Sequence, residues 1–198
     1  MNAPKLTARI PDHPVAEIFP ARWSPRAFAA DTMTEADVAL LLEAARWAPS
    51  ASNNQPARFA WGLRGDAAFA TIHDGLMGFN TVWADKAAAL IVVASKTFVE
   101  KDEGRAPNAW HAFDAGAAWM SLALQAQAMG LVAHAMGGFE ADKLGPALGL
   151  PEGYQIQVVV AVGVQGDAAA LPEKLQAREQ ASPRRPVAEV AGHGKLPA

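Results

Sequence analysis

The sequence predicts a single domain of interleaved α-helices and β-strands, with the strands covered on both faces. Three observations carry this expectation. A segment opening near Glu35 has a helix cap and gathers its apolar residues on one side. The run Ala87–Ala94 is continuously apolar, as suits a strand buried on both faces. A long alanine-rich stretch that closes on Gly130 reads as a second helix.

Taken in order, residues 1–20 hold four prolines and little periodicity, which predicts an extended arm. Thr34, with Asp37 three residues on, caps a helix from about Glu35 to Trp47; Val38, Leu41, Leu42 and Ala45 share a face, and Pro49 stops it. Residues 57–63 and 87–95 are expected strands, the second with a Leu-Ile-Val-Val centre. A polar stretch, 101–108, leads into the long helix at about 109–129. A short strand near 131–135, the pair Gly137-Gly138 and a brief helix between Asp142 and Leu148 follow. The turn at 150–153 opens the last buried strand, 155–164. From Gly166 the chain is polar and broken by Pro172, Pro183, Pro186 and Pro197, which predicts a tail wrapped on something else. No internal repeat or second domain is visible, so residues 1–198 read as one domain with arms at 1–20 and 166–198.

A chain of this length buries roughly 70% of its unfolded surface, so it needs no disulfide or structural metal. It has no cysteine, which excludes zinc–thiolate sites, iron–sulfur clusters and a thiol nucleophile. A net charge of -3 argues against a nucleic-acid partner. No apolar run approaches the ~18 residues of a membrane span, and no signal peptide is recognisable, so a cytoplasmic protein is expected. Alanine, at 45 residues, supplies over two fifths of the apolar set and predicts close helix packing.

HExxH, Walker and GxSxG motifs are all missing, and Val162–Gly166 lacks dinucleotide-loop spacing. His111 and Asp114 suit a hydrogen bond along one helix face, and no metal set assembles from the other histidines. Three segments remain. Arg22-Trp23-Ser24-Pro25-Arg26-Ala27-Phe28 places two guanidiniums and a hydroxyl where they can grip a phosphate. Ala48–Pro56, with Ser50, Ser52, Asn53, Asn54 and Gln55, offers neutral donors and acceptors suited to a polar heterocycle or sugar chain. Met136-Gly137-Gly138-Phe139 lets backbone approach a flat ligand. His134, just before it, is either a satisfied core histidine or a substrate-pocket residue.

These segments resemble the nitroreductase family of FMN-dependent oxidoreductases over roughly residues 15 to 190. The family's Arg-Arg-Ser-x-Arg opening appears as Arg22–Arg26, and its Ala-Pro-Ser-x-x-Asn-x-Gln-Pro loop as Ala48–Pro56. Its Gly-Gly-Phe turn and Leu-Gly-Leu-Pro-Glu-Gly-Tyr run appear at Gly137–Phe139 and Leu148–Tyr154. Leu171–Leu175 with Arg184-Arg185-Pro186 looks like its C-terminus.

The resemblance implies an α+β fold, with a mixed central sheet flanked by helices, in an intertwined homodimer that holds FMN at the subunit interface. By carry-over, Arg22, Ser24 and Arg26 would hold the phosphate, ribityl chain and pyrimidine edge, and Arg184 would add a phosphate contact. Ser50 and Asn53, from the second subunit, would bond the isoalloxazine, and the amides of Gly137 and Gly138 would approach flavin N5. Trp23, Gln55, Asn80 and Met136 complete the expected cofactor-binding set. No side chain is expected to act as acid or base, because FMN carries the redox chemistry. The implied activity takes hydride from NADH or NADPH and reduces nitroaromatics, quinones or similar acceptors in alternating half-reactions. A flavin-binding protein that consumes or delivers reduced flavin without NAD(P)H turnover is the alternative, and a silent dimeric binding module the third reading. Trp23 and Ala57 depart from the family pattern, and the short 98–109 stretch predicts an open, broadly specific pocket. Ala112, Ala115, Ala117, Ala118, Ala123, Ala126 and Ala128 of the long helix would let two subunits pack closely.

Overall fold

The apolar run folds as a strand, Ala89–Lys96, whose alternation divides the core in two. Ala89, Ile91 and Val93 enter one cluster, and Leu90, Val92 and Ala94 the other, as a period of two requires. The computed structural model describes residues 9–197. Its elements are α1 (Ile18–Ala21), α2 (Glu35–Arg46), β1 (Ala57–Leu63), α3 (Ala67–Asp74), β2 (Ala89–Lys96), β3 (Phe98–Lys101), β4 (Gly104–Pro107), α4 (His111–Ala128), β5 (Val132–Met136), α5 (Ala141–Ala147), β6 (Tyr154–Gly163), α6 (Glu173–Gln176) and α7 (Val187–Val190). Short 3-10 turns lie between several of them.

The central sheet has the order β1-β2-β6-β5. All three pairings are antiparallel, so the parallel pairing that a mixed sheet implies does not occur among the described residues. On one face, Val38, Leu41 and Ala45 of α2 and Ala115, Ala118, Leu122, Ala123 and Ala126 of α4 cover Ile91, Val93, Val160 and Val162. On the other lie Phe69 and Ile72 of α3, Leu144 of α5, and Trp83. The expected helix-flanked sheet is therefore present. The α4 alanines, however, bring that helix close to its own sheet and to α2: Ala115, Ala118, Ala123 and Ala126 are all spent inside one chain.

Local chemistry sets the boundaries. Thr34 and Asp37 form the expected capping box, with bonds of 3.2 and 2.8 Å, and Gly130 leaves α4 at a φ of 74°. Helix α3 has no counterpart in the sequence reading. Asp66 caps it by accepting from the Phe69 amide at 2.6 Å, and Gly62 lets it lie on β1, since a Cβ there would come 2.1 Å from the Phe69 nitrogen. The stretch read as polar holds the turn and second strand of the hairpin β3–β4, where Lys96 and Arg105 flank the Phe98 ring at 4.3 and 4.0 Å.

The tail only partly follows expectation. Leu171, Leu175 and Ala181 are buried in their own chain, and the Gly166 amide donates to Ala27 O at 2.8 Å. Residues 166–181 thus fold back on the domain, whereas 182–196 are exposed. Residues 1–8 of the predicted N-terminal arm fall outside the described residues.

Candidate functional site

Arg22–Phe28 has no helix or continuous strand to hold it, so its shape comes from distant partners. Gly166 donates to Ala27 O, and the Ala29 amide donates to Val164 O at 2.9 Å. The buried carboxylate of Glu179 accepts from the amides of Arg26 and Ala27 at 2.6 and 2.8 Å. Held this way, Arg22, Trp23, Ser24 and Arg26 face a cavity of about 570 Å³ that Arg9, Arg178, Arg184 and His134 also line.

Five guanidiniums meet in that cavity, and all stay charged across the working pH range. Burial holds Arg22 below the ordinary arginine value, with Arg9 and Arg184 adding to the effect. Burial also lowers Arg26, opposed by Glu179 and reinforced by Arg178. A cluster whose members repel one another gains most from a multiply charged anion, and the guanidinium fork matches phosphate oxygens. Arg9 also shapes the segment, donating to Pro20 O at 2.6 Å and to Arg22 O at 2.7 Å. Neither Arg9 nor Arg178 was singled out from the sequence; each is one basic residue in a proline-punctuated arm, and only folding assembles them.

His134 on β5 is bonded through Nδ1 to Pro25 O at 3.0 Å. A carbonyl only accepts, so Nδ1 carries the proton. The Trp83 ring lies 4.7 Å away, and burial pushes the imidazole down from 6.5 to about 4. The residue is thus both packed in the core and part of the cavity wall. Because the unfolded chain takes up the proton first, stability is expected to fall as pH drops from about 6.5 towards 4 and to level off below. The loss should be on the order of 3 kcal/mol in urea melts, with His134→Gln removing that component. A ring titrating near 6.5 by NMR would contradict the assignment.

The Ser50–Pro56 loop is strained. Ser52, Asn53 and Gln55 have φ of 50°, 53° and 46°, which Asn tolerates and Ser and Gln do not favour. Ser50 Oγ accepts from the Gln55 amide at 2.9 Å, leaving its own proton to donate. Asp114, buried in the first turn of α4, accepts from the Ala51 amide at 3.2 Å. His111 bonds Ser95 Oγ at 2.8 Å instead, so the expected His111–Asp114 hydrogen bond gives way to two separate roles. Asp114→Ala should speed amide exchange at residues 51–55 by about 10- to 100-fold, the value of one buried hydrogen bond. Asp114→Asn, which keeps an acceptor oxygen, should have a smaller effect.

After β5 the Gly138 carbonyl accepts from the Met77 amide at 3.0 Å and from Asn80 Nδ2 at 3.1 Å. Asn80 and Gly138 are therefore joined, and a Cβ at Gly138 would lie 2.9 Å from Asn80 Nδ2. Met136 points into the core, whereas Gly137 is exposed with open space above it. Ser50 and Gln55 line a second cavity of about 420 Å³, which shares no residue with the arginine cavity. Asn53, exposed, lies in the same loop. Within one chain the 22–26 and 50–55 sets stay apart.

The chain thus has an α+β fold, a cavity lined by five arginines and a double-glycine turn after β5. The sequence profile of the nitroreductase family matches residues 20–68 and 64–164, and the chain belongs to that family. A solved oxidoreductase containing FMN is 40% identical, covers 98% of each chain and superposes with a TM-score of 0.91. A nitroreductase from Desulfovibrio desulfuricans, solved in complex with FMN, is 27% identical over 94% of this chain and 99% of its own, with a TM-score of 0.73. An uncharacterized 15.4 kDa protein from the ask 5′ region of Mycolicibacterium smegmatis is 35% identical over 130 residues, 62% of this chain and 84% of its own length. Among the described residues no group of His, Asp and Glu converges as a metal site, and no helix is long and apolar enough to cross a membrane.

Proposed function

We propose that the protein is an FMN-dependent oxidoreductase that takes hydride from NADH or NADPH and reduces nitroaromatic, quinone or similar small acceptors in alternating half-reactions, working as a cytoplasmic homodimer. The five-arginine cavity is the observation that carries this reading, and the FMN-containing relatives support it. The residues fit the cofactor: guanidiniums for the phosphate, the Ser24 hydroxyl for the ribityl chain, and an open glycine turn for a flat ring. When bound, FMN accepts the hydride and passes the electrons on.

Arg22 and Arg184 hold the phosphate. Arg26 faces the pyrimidine edge and stabilises negative charge that gathers there. The amides of Gly137 and Gly138 would serve N5, with open space above Gly137. Ser50 and Asn53 donate to the ring from a second copy of the chain, which explains why they sit apart from the arginines. Trp47, Trp110, Phe113 and Met120 are exposed, Phe113 by 75%, and supply an apolar face for that copy. No side chain is assigned as acid or base, and water can supply any proton the acceptor needs.

Purified protein should be yellow, hold one FMN per chain, sediment as a dimer and bleach when NADH or NADPH is added without oxygen. A colourless protein that takes up no FMN would sink the proposal. A loaded protein that neither nucleotide bleaches would leave the flavin-delivering reading instead.

A further inference from the structure

Glu179 is 5% exposed and lies in the tail, outside any helix or strand. Glutamate is seldom so enclosed without a partner for each oxygen. Its two oxygens have different surroundings. Oε1 accepts from the Arg26 and Ala27 amides, 153 and 152 residues away in sequence. Oε2 is buried with no hydrogen-bond partner and lies 3.8 Å from Arg26 Nη1. A neutral acceptor would suffice to hold two amides. The charge therefore needs another explanation, and the group beside it is the Arg26 guanidinium, which remains 20% open towards the cavity.

We propose that Glu179 is a positioning residue that fixes the place and effective charge of Arg26, and through it sets how strongly the site favours reduced over oxidised flavin. The proposal rests on the FMN reading given above. A carboxylate this close offsets part of the guanidinium field, and Arg178 pushes in the opposite sense. Arg26 is thus balanced between one opposite and one like charge. Neutralising Glu179 leaves a stronger positive field at the pyrimidine edge, where reduction places negative charge.

Glu179→Gln keeps an oxygen for both amides and removes the charge. It is expected to favour reduced over oxidised FMN by about tenfold, an upward shift of about 30 mV for a two-electron couple in a dye-equilibration titration. Arg26→Gln should shift the potential down. Glu179→Asp keeps the charge but shortens the reach, so it should weaken FMN retention by about tenfold without the upward shift. A Glu179→Gln potential equal to wild type, with Arg26→Gln displaced, overturns the proposal. Should Glu179→Gln not fold, an upward shift in Glu179→Asp overturns it instead, because the charge is still present. Failure of the wild-type protein to bind FMN refutes the underlying flavin reading, a result distinct from a bound flavin whose potential ignores Glu179.

Discussion

Arg22→Ala is expected to weaken FMN binding by about 10- to 100-fold, and riboflavin binding far less. A charge-assisted hydrogen bond contributes about 1.5–3 kcal/mol, or one to two decades in affinity. Arg22 is placed to make such bonds because Arg9 holds its carbonyl at 2.7 Å and Arg184 lines the same cavity. Riboflavin lacks the phosphate, so the ratio of the two affinities isolates the arginine contribution from general damage to the pocket. Arg22→Lys should restore only part of it, because a point charge cannot reproduce the planar fork. Added salt should weaken FMN binding and leave riboflavin nearly unaffected. Flavin fluorescence quenching measures all of these, and an equal loss for both flavins would place the phosphate contact elsewhere.

What could be read in advance followed the range of the interactions. The bounds of β1 agree with the predicted 57–63, and α2 and α4 lie within a residue or two of expectation, because caps and alternation act over a few residues. Helix α3 escaped notice: its eight residues bury only Phe69 and Ile72, too few to show a face. The hairpin β3–β4 was hidden because a cation–aromatic clasp holds it in place of an apolar pattern. At the site, Arg22–Arg26 and Ala48–Pro56 were legible as short motifs. Arg9, Arg178 and Glu179 were not, since they reach Arg26 and its neighbours only through tertiary folding. The left-handed backbone at Ser52 and Gln55 was equally invisible, since neither residue type favours it.

Trp83→Ala is expected to cost about 3–5 kcal/mol, the range for deleting a fully buried aromatic. That is a large share of the 5–15 kcal/mol typical of a domain and corresponds to roughly 6–20 °C in melting temperature for a chain of this size. Trp83 is 1% exposed and lies between two 3-10 turns, its amide donating to Asn80 O and its carbonyl accepting from the Lys86 amide. It stacks 6.2 Å from Phe28 and lies 4.7 Å from His134. Phe28 follows the segment pinned by Glu179, and His134 forms part of the arginine cavity wall. Removing the indole should therefore also wet the imidazole, raise its value back towards 6.5 and flatten the acid-side loss of stability. Trp83→Phe keeps a ring in place and should lose much less on both counts. Calorimetry and a histidine NMR titration test the two effects separately. If the melting temperature falls while the His134 titration stays put, Trp83 supports the core alone; if both move, one side chain couples the core to the wall of the anion cavity.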